Sequence, residues 1–268
     1  MDAQELALFV MAGAIGGFIN VVASSGSAIT LPLLMMFGVP APIANGTNRI
    51  PLLVGSSAAT WTFQKKGVID WRNAALIAPS MLIGSLLGAY ISTLLNAKNM
   101  NFAVIAAVIM AFFMLITKPS RMLEPEPGIT PTVRSKHAAV YFLIGFWAGF
   151  IVLDSATFML LSFVMLARYE LVPANAMKNL MLVVISIPSV FLFTMKGEID
   201  WGIGAAMAMG SVGGSTLGGK FSVSPTAKVW IFRLLVIVVG LEIVHLIWMF
   251  GHINHLIPEH MHFTPTVK

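Results

Sequence analysis

Between Gly16 and Leu53, small and polar residues interrupt a sequence that is otherwise hydrophobic. The interruption includes Ser24-Ser25-Gly26-Ser27 and, after a short apolar stretch, Asn45-Gly46-Thr47-Asn48-Arg49. Lipid penalises uncompensated polar groups and broken backbone, because it holds no water to hydrogen-bond them. Such a run is tolerated only where it lines a cavity that the protein encloses. The run therefore predicts half of a binding site, and a weaker copy that begins near Gly145 predicts the other half.

The composition places the chain in a bilayer. Of its 268 residues, 57% are hydrophobic and 10% are charged, and the mean hydropathy is +0.88. Soluble domains carry about 25% charged residues, so the chain is predicted to be a polytopic membrane protein. It has no cysteine, which excludes disulfides and thiolate metal sites. The net charge of +5 does not indicate nucleic-acid binding, since the basic residues lie in short loops beside apolar segments.

Apolar segments predict an all-α fold of about eight to ten helical segments. In the first half they lie at 6–23, 28–37, 43–63, 73–95 and 100–117. In the second half they lie at 138–153, 156–167, 173–195, 202–221 and 228–250. Most can cross about 30 Å of hydrocarbon, but 28–37 and 156–167 are too short and predict half-helices that follow a break or re-enter. The acidic start at Met1–Glu5 is unlike a signal peptide, so the first segment is expected to be a retained helix.

The two halves repeat each other. Lys66-Gly67-Val68-Ile69-Asp70-Trp71 recurs 130 positions later as Lys196-Gly197-Glu198-Ile199-Asp200-Trp201, and the same shift carries Asn45 to Asn175. With an odd number of crossings in each half, most lysines and arginines fall on one face, which the positive-inside rule makes cytoplasmic. The repeats are then inverted, as in many transporters. The predicted divisions are a first transmembrane repeat at 1–117, a cytoplasmic proline-rich linker at 118–136, a second transmembrane repeat at 137–251 and a polar tail at 252–268.

The residues of the first junction suit an anion. A helix broken at membrane depth leaves N–H groups unpaired, and the next half-helix begins there with its positive dipole end. The guanidinium of Arg49 suits a bidentate oxyanion. The candidates for substrate binding in the first half are Asn20, Ser24, Ser25, Gly26, Ser27, Asn45, Thr47, Asn48 and Arg49. The alternatives are close helix packing for the small residues and an arginine that snorkels to the headgroups.

The second half offers a corresponding set of candidates. They are Asp154, Ser155, Asn175, Lys178 and Asn179. Lys178 places a cation near the position that Arg49 holds in the first half, and two cations beside polar breaks favour an anionic substrate. Asp154 is a loop residue at the surface, a buried carboxylate that could carry a coupling proton, or a structural partner for one of the two cations.

The remaining motifs give weaker signals. Glu242 and His245 share a face of the last segment, where an interhelical pair is favoured over a proton relay. The histidines of the tail lack regular metal-ligand spacing, so no metal site is predicted. The HExxH, Walker A and Gly-x-Ser-x-Gly signatures are absent from the sequence, so no catalytic residue, cofactor or enzymatic activity is predicted.

The chain resembles the sulfite exporter TauE/SafE family of membrane transporters over about 8–250. In the first half the likeness rests on Gly17-Phe18-Ile19-Asn20, Ser25-Gly26-Ser27, Leu31-Pro32-Leu33-Leu34, Gly38-Val39-Pro40 and Ala44-Asn45-Gly46-Thr47-Asn48-Arg49. In the second half it rests on Gly145-Phe146-Trp147-Ala148-Gly149-Phe150, Ala174-Asn175-Ala176-Met177-Lys178-Asn179 and the Gly-x-x-Asp-Trp loop. The junctions at Ser24–Ser27 and Asp154–Ala156 depart from the family, which usually has more glycine at both places.

The resemblance implies secondary transport of a small anion, often sulfite or an organosulfonate, across the cytoplasmic membrane without ATP. The expected partners are a small anionic substrate and the lipid bilayer. Protons as the coupling ion and an uncoupled uniport are both viable, and a homodimer is left open. Rocking of one repeat against the other would give alternating access, with export as the expected direction. An anion channel and a carrier for a metal cation or a carboxylate are the competing interpretations.

Overall fold

The computed structural model describes residues 1–95, 99–100, 131–133 and 137–224, and within these ranges every regular element is a helix. The helices are α1 (Ala3–Ala23), α2 (Gly26–Met36), α3 (Ala41–Thr47), α4 (Arg49–Lys65), α5 (Trp71–Ser92), α6 (Ala138–Phe150), α7 (Ser155–Met165), α8 (Leu171–Met195) and α9 (Trp201–Ser222). Of these, α1, α5 and α8 are long and apolar enough to cross a membrane. The predicted all-α, polytopic membrane fold is confirmed.

Some of the predicted parts lie outside the described residues. These are nearly all of the segment 100–117, most of the linker 118–136, the whole segment 228–250 with Glu242 and His245, and the tail 252–268.

The duplicated Gly-x-x-Asp-Trp loop is a pair of helix caps. After α4 and α8, Gly67 and Gly197 adopt φ of 66° and 67°, a left-handed conformation that glycine enters without steric cost. The carboxylate of Asp70 then accepts the N–H of Asn73 at 3.1 Å, and that of Asp200 accepts the N–H of Ile203 at 3.0 Å. Each loop thus ends one helix and begins the next, so the repeat is structural.

Each half contains the predicted broken helix. In the first half α1 ends at Ala23 and α2 begins at Gly26, and in the second α6 ends at Phe150 and α7 begins at Ser155. Ser24 and Asp154, which are 130 positions apart, both adopt a left-handed conformation, with φ of 60° and 56°. These are the positions at which the family resemblance led us to expect glycine, and they carry a backbone conformation that other residues seldom adopt.

The segment predicted at 43–63 is not one helix but two, because α3 and α4 meet at Asn48. Pro51 contributes to the division, since it has no N–H and the carbonyl of Thr47 receives no helical hydrogen bond from it. It does not act alone, because Pro79 in α5 and Pro188 in α8 lie inside helices that continue. In the copy Met181 stands 130 positions after Pro51, and α8 runs unbroken from Leu171 to Met195.

The two halves interlock. Helix α1 packs mainly on α9, and its counterpart α6 packs mainly on α5, which is the counterpart of α9. Likewise α4 packs on α9 as α8 packs on α5, while α4 and α8 pack on each other. This reciprocity gives two bundles of mixed origin, which we call bundle A (α1, α2, α4 and α9) and bundle B (α5, α6, α7 and α8).

Glycines bring the helices of each bundle close together. In bundle A a Cβ on Gly13 would overlap the carbonyl oxygen of Met207, and a Cβ on Gly210 would overlap that of Val10. In bundle B the overlaps involve Gly84 with Phe142, Gly88 with Phe146, Gly145 with Met81 and Gly149 with Ser85. The backbones therefore touch, as they do where small residues mediate helix packing in membranes.

A hydrogen-bonded cluster also joins loops of the two halves. The hydroxyl of Tyr169 donates to Asp70 at 2.8 Å and accepts from the side-chain amide of Asn73 at 2.8 Å. Burial acts to raise the pKa of Asp70, but the hydrogen bonds from Asn73 and Tyr169 outweigh it and lower that pKa. Asp70 is therefore held as an anion between the loops.

Substitution of Gly210 tests the contact between α1 and α9. Gly210→Ala is expected to lower the free energy of unfolding by about 1–3 kcal/mol, because its methyl group would meet the Val10 carbonyl. Gly213→Ala is the matched control on the same helix, since nothing lies within 4 Å of a Cβ there. Thermal unfolding of the two variants in detergent measures the difference, and equal stability would contradict the close contact.

Candidate functional site

The two helix breaks lie against each other. The hydroxyl of Thr157 donates to the carbonyl oxygen of Ser24 at 3.2 Å and lies 3.5 Å from the hydroxyl of Ser25. The hydroxyl of Ser27 donates to the carbonyl oxygen of Val152 at 3.2 Å. All of these side chains are buried. The junctions of the two halves, far apart in sequence, thus form one polar region inside the protein.

Asparagines of each half hold the broken helix of the other. The amide of Asn45 donates to the carbonyl of Phe150 at 3.1 Å and accepts the N–H of Val152 at 3.2 Å. The amide of Asn175 donates to the carbonyl of Val21 at 2.8 Å. The last carbonyls of a helix have no partner within it, and these asparagines supply one.

The two buried cations act at the same helix ends. The guanidinium of Arg49 donates to the carbonyls of Ala148 at 2.9 Å and Gly149 at 2.6 Å, near the end of α6. The ammonium of Lys178 donates to the carbonyl of Asn20 at 2.7 Å, near the end of α1. Cations are stabilised at helix C-termini, where the dipole is negative. Arg49 and Lys178 are 2% and 0% exposed, so both charges depend on these contacts.

Asp154 is a buried carboxylate and not a surface loop residue, since it is 2% exposed. Among the described residues it forms no salt bridge with Arg49 or Lys178, and its Oδ2 has no hydrogen-bond partner. A direct ion pair between Asp154 and either cation is therefore not what the structure contains.

Bundle A encloses a small cavity between α1, α2, α4 and α9. Its lining consists of Gly13, Gly16, Gly17, Asn20, Gly26, Ser27, Thr30, Asn48, Pro51, Leu52, Ser56, Ser211 and Ser215. The space that can take the centre of a water molecule is about 20 Å³, which is enough for about one water, so the cavity must widen to admit an anion. The first turn of α2, at Gly26 and Ser27, forms part of the wall and presents the positive end of that helix dipole.

Three buried polar atoms of this lining have no hydrogen-bond partner among the described residues. They are Oδ1 of Asn20, Nδ2 of Asn48 and Oγ of Ser56, in residues that are 5%, 2% and 1% exposed. Leaving such a group unpaired costs about 1–3 kcal/mol. Because these residues line the cavity, a polar ligand or water in it can supply the missing partners.

The predicted site residues divide into two groups. Four of them line the cavity: Asn20, Gly26, Ser27 and Asn48. The others lie outside the lining: Ser24, Ser25, Asn45, Thr47, Arg49, Asp154, Ser155, Asn175, Lys178 and Asn179. Most of these serve the surrounding network; for example, Thr47 accepts the N–H of Asp200 at 2.9 Å and Asn179 donates to the carbonyl of Asn175 at 2.9 Å.

Of the hydroxyl residues in the cavity wall, sequence reasoning found Ser27 but not Thr30, Ser56, Ser211 and Ser215. Ser56 was detectable, since it lies two helical turns after Asn48 on the same face of α4. Thr30 lies one turn after Gly26 in the same way. Ser211 and Ser215 carried no comparable signal, because serines spaced along a glycine-rich helix are typical of close packing.

Comparison with known proteins decides the family. A model of the family described as sulfite exporter TauE/SafE matches residues 9–243. The chain belongs to this family. It is therefore a multi-pass membrane transporter, and no solved structure matches it.

The curated relatives cover most of the TauE/SafE chain. A "probable membrane transporter protein ORF9" of Sinorhizobium sp. is 27% identical over 235 residues, which are 87% of this chain and 88% of the relative. A "probable membrane transporter protein" of Haemophilus influenzae is 28% identical, over 80% of this chain and 84% of the relative. The "probable membrane transporter protein YfcA" of Escherichia coli K12 is 26% identical, over 84% and 83%.

The contacts of Arg49 predict a structural effect. Arg49→Met is expected to lower the free energy of unfolding by about 1.5–3 kcal/mol for each charge-assisted hydrogen bond that it removes from the end of α6. Arg72→Met, at an exposed position on α5, is the control and should leave stability nearly unchanged. Thermal unfolding in detergent measures both. An Arg49→Met protein of normal stability that no longer binds an anion would instead make Arg49 a substrate ligand.

Proposed function

We propose that this TauE/SafE protein is a secondary transporter that exports a small anion, sulfite or an organosulfonate or a similar ion, across the cytoplasmic membrane. The observation that carries the proposal is the cavity in bundle A, whose wall holds two unpaired hydrogen-bond donors, Nδ2 of Asn48 and the hydroxyl of Ser56, together with the first turn of α2. The description of the matched family as a sulfite exporter supports the substrate class. The names of the curated relatives support transport in general.

The chemistry of the lining favours an anion. None of the described residues of the lining is acidic, and the amide Nδ2 of Asn48 and the hydroxyl of Ser56 can each donate a hydrogen bond into the cavity. The first turn of α2 adds the positive end of a helix dipole. Of the substrate ligands predicted in the two halves, we retain Asn20, Gly26, Ser27 and Asn48, and we add Ser56.

Alternating access is supported by the packing of the helices. The breaks of α1 and α6 meet where bundle A contacts bundle B, through Thr157, Ser24 and Ser27. The glycine contacts between α1 and α9 and between α5 and α6 lie within the bundles, where the backbones touch. The bodies that would rock against each other are therefore bundles A and B and not the two sequence repeats. In this scheme the inverted orientation of the repeats gives the outward-open and inward-open states.

The driving force follows from charge. An anion leaving an inside-negative cell gains about 2.3 kcal/mol per charge per 100 mV, so a uniport is sufficient for export. If protons are coupled, Asp154 is the residue to carry them, because it is buried and its Oδ2 lacks a partner among the described residues.

Ser56 and Ser57 form a matched pair for testing the cavity. Ser56→Ala is expected to weaken binding of sulfite about tenfold to a hundredfold, because a hydrogen bond to a charged ligand contributes about 1.5–3 kcal/mol. Ser57→Ala should bind normally, since Ser57 is exposed and its hydroxyl donates to the carbonyl of Leu53 within the helix. The measurement is a titration of purified protein with sulfite, taurine, acetate and sulfate, followed by thermal shift.

Counterflow in proteoliposomes then tests transport. Labelled sulfite should accumulate in vesicles preloaded with unlabelled sulfite. At a low concentration of labelled sulfite, vesicles with the Ser56→Ala protein should accumulate less than vesicles with the wild type. Conductance without counterflow would show a channel. Absence of binding and transport for every anion in the series would refute the proposal.

A further inference from the structure

The end of α1 contains a group of oxygen atoms arranged around a positive charge. The ammonium of Lys178 lies 2.7 Å from the carbonyl oxygen of Asn20, 3.0 Å from the hydroxyl of Ser24 and 3.4 Å from the carbonyl oxygen of Val21. Lys178 is 0% exposed. Among the described residues no carboxylate forms a salt bridge with it. Among the residues that the structure describes, its hydrogen-bond partners are thus neutral oxygens at a helix end.

This donor set is the kind that holds a small cation. In broken-helix transporters, unwound backbone carbonyls and the C-terminal ends of half-helices coordinate the coupling cation. Here α1 ends at Ala23, and Ser24 directly after it takes a left-handed conformation. The carbonyls of the last turn lie at the negative end of the dipole, and among them that of Asn20 also accepts the backbone N–H of Ser24 at 3.1 Å. Such a place attracts a cation, and the side chain of Lys178 supplies one.

The other half repeats the arrangement with a different side chain. At the end of α6 the guanidinium of Arg49 takes the carbonyls of Ala148 and Gly149. Both broken helices therefore have a side-chain cation at their carbonyl end. In each case the cation comes from a helix of the other half of the sequence.

We propose that Lys178 is a tethered substitute for a coupling cation: its ammonium permanently fills a cation subsite at the end of α1, so the protein needs no sodium or potassium ion. The ligands of the subsite are the carbonyl oxygens of Asn20 and Val21 and the hydroxyl of Ser24. Removal of the side chain converts the subsite into a binding site for a small monovalent cation. The cation subsite at the end of α1 does not depend on the proposed anion transport. Only the statement that transport needs no sodium or potassium ion rests on that proposed function.

Chemical rescue tests the subsite. Full-length Lys178→Ala, purified in detergent, is expected to unfold at a lower temperature than the wild type. Methylammonium, sodium or potassium chloride should raise its unfolding temperature in a saturable way, as binding to the folded state requires, whereas choline chloride, whose cation is too large, should not. The unfolding temperature of the wild type should change by the same amount in all four salts. Lys196→Ala, which removes an exposed lysine just after α8, is the matched control and should behave as the wild type.

One outcome of the rescue experiment would overturn the cation subsite. If Lys178→Ala is folded and the small cations stabilise it no more than choline does, the subsite does not exist. Lys178→Gln provides a second variant, since it keeps a hydrogen-bond donor without the charge and is expected to show the same selective rescue.

Wild-type protein tests the consequence for coupling without any substitution. Counterflow of labelled sulfite should be equally fast in choline, sodium and potassium buffers, and a requirement for sodium or potassium would overturn the proposal even if neither variant folds. If the wild type moves no anion in any buffer, the proposed transport function fails. The rescue experiment, which measures stability alone, still decides whether the cation subsite exists.

Discussion

Two helices that stop inside the protein impose the constraint on which this structure depends. When α1 and α6 end at their breaks, their last carbonyl groups have no partner within the helix, and no water is available in a lipid environment. The chain solves this problem reciprocally. Asn45 and Arg49 of the first half hold the end of α6, and Asn175 and Lys178 of the second half hold the end of α1. Local bonds, such as that from the hydroxyl of Ser25 to the carbonyl of Ala23 at 3.3 Å, satisfy only part of each break.

This dependence explains why the repeats are interlocked. The asparagine and the cation that bind each carbonyl end come from the opposite half, so α1 and α6 each lie against helices of the other repeat. The packing of α1 on α9 and of α6 on α5 achieves this, and the glycines there let backbones touch. The packed bundles of the protein are consequently of mixed origin, although the sequence repeats by halves.

Differences between the repeats decide where the cavity forms. In bundle A the wall contains Asn48, Pro51 and Ser211. At positions 130 residues after Asn48 and Pro51 the copy has Lys178 and Met181, both buried. The cavity with the unpaired polar atoms thus lies where the residues are small, whereas a lysine committed to a helix end occupies the corresponding place. The duplication supplies the framework, and the divergence of a few side chains supplies the site.

The sequence by itself determined the class of protein, the broken helices, the duplication and the polar character of the junctions. Each of these follows from local composition, since hydropathy, segment length and glycine or serine content act on neighbouring residues. It predicted four residues of the cavity wall, Asn20, Gly26, Ser27 and Asn48. The division between α3 and α4 at Asn48 was missed, because a proline such as Pro51 does not by itself end a helix in this chain, as Pro79 and Pro188 show.

Only the tertiary structure decided what the buried cations do. Arg49 and Lys178 stand beside polar breaks in the sequence, which favours a ligand role, yet their partners are carbonyl groups about 100 or more residues away. Ser211 joined the cavity for the same reason, because α9 lies against α1 and α4. Which buried polar group meets which depends on how distant helices pack, and a charge in a low-dielectric interior takes the oxygen atoms that this packing brings within reach.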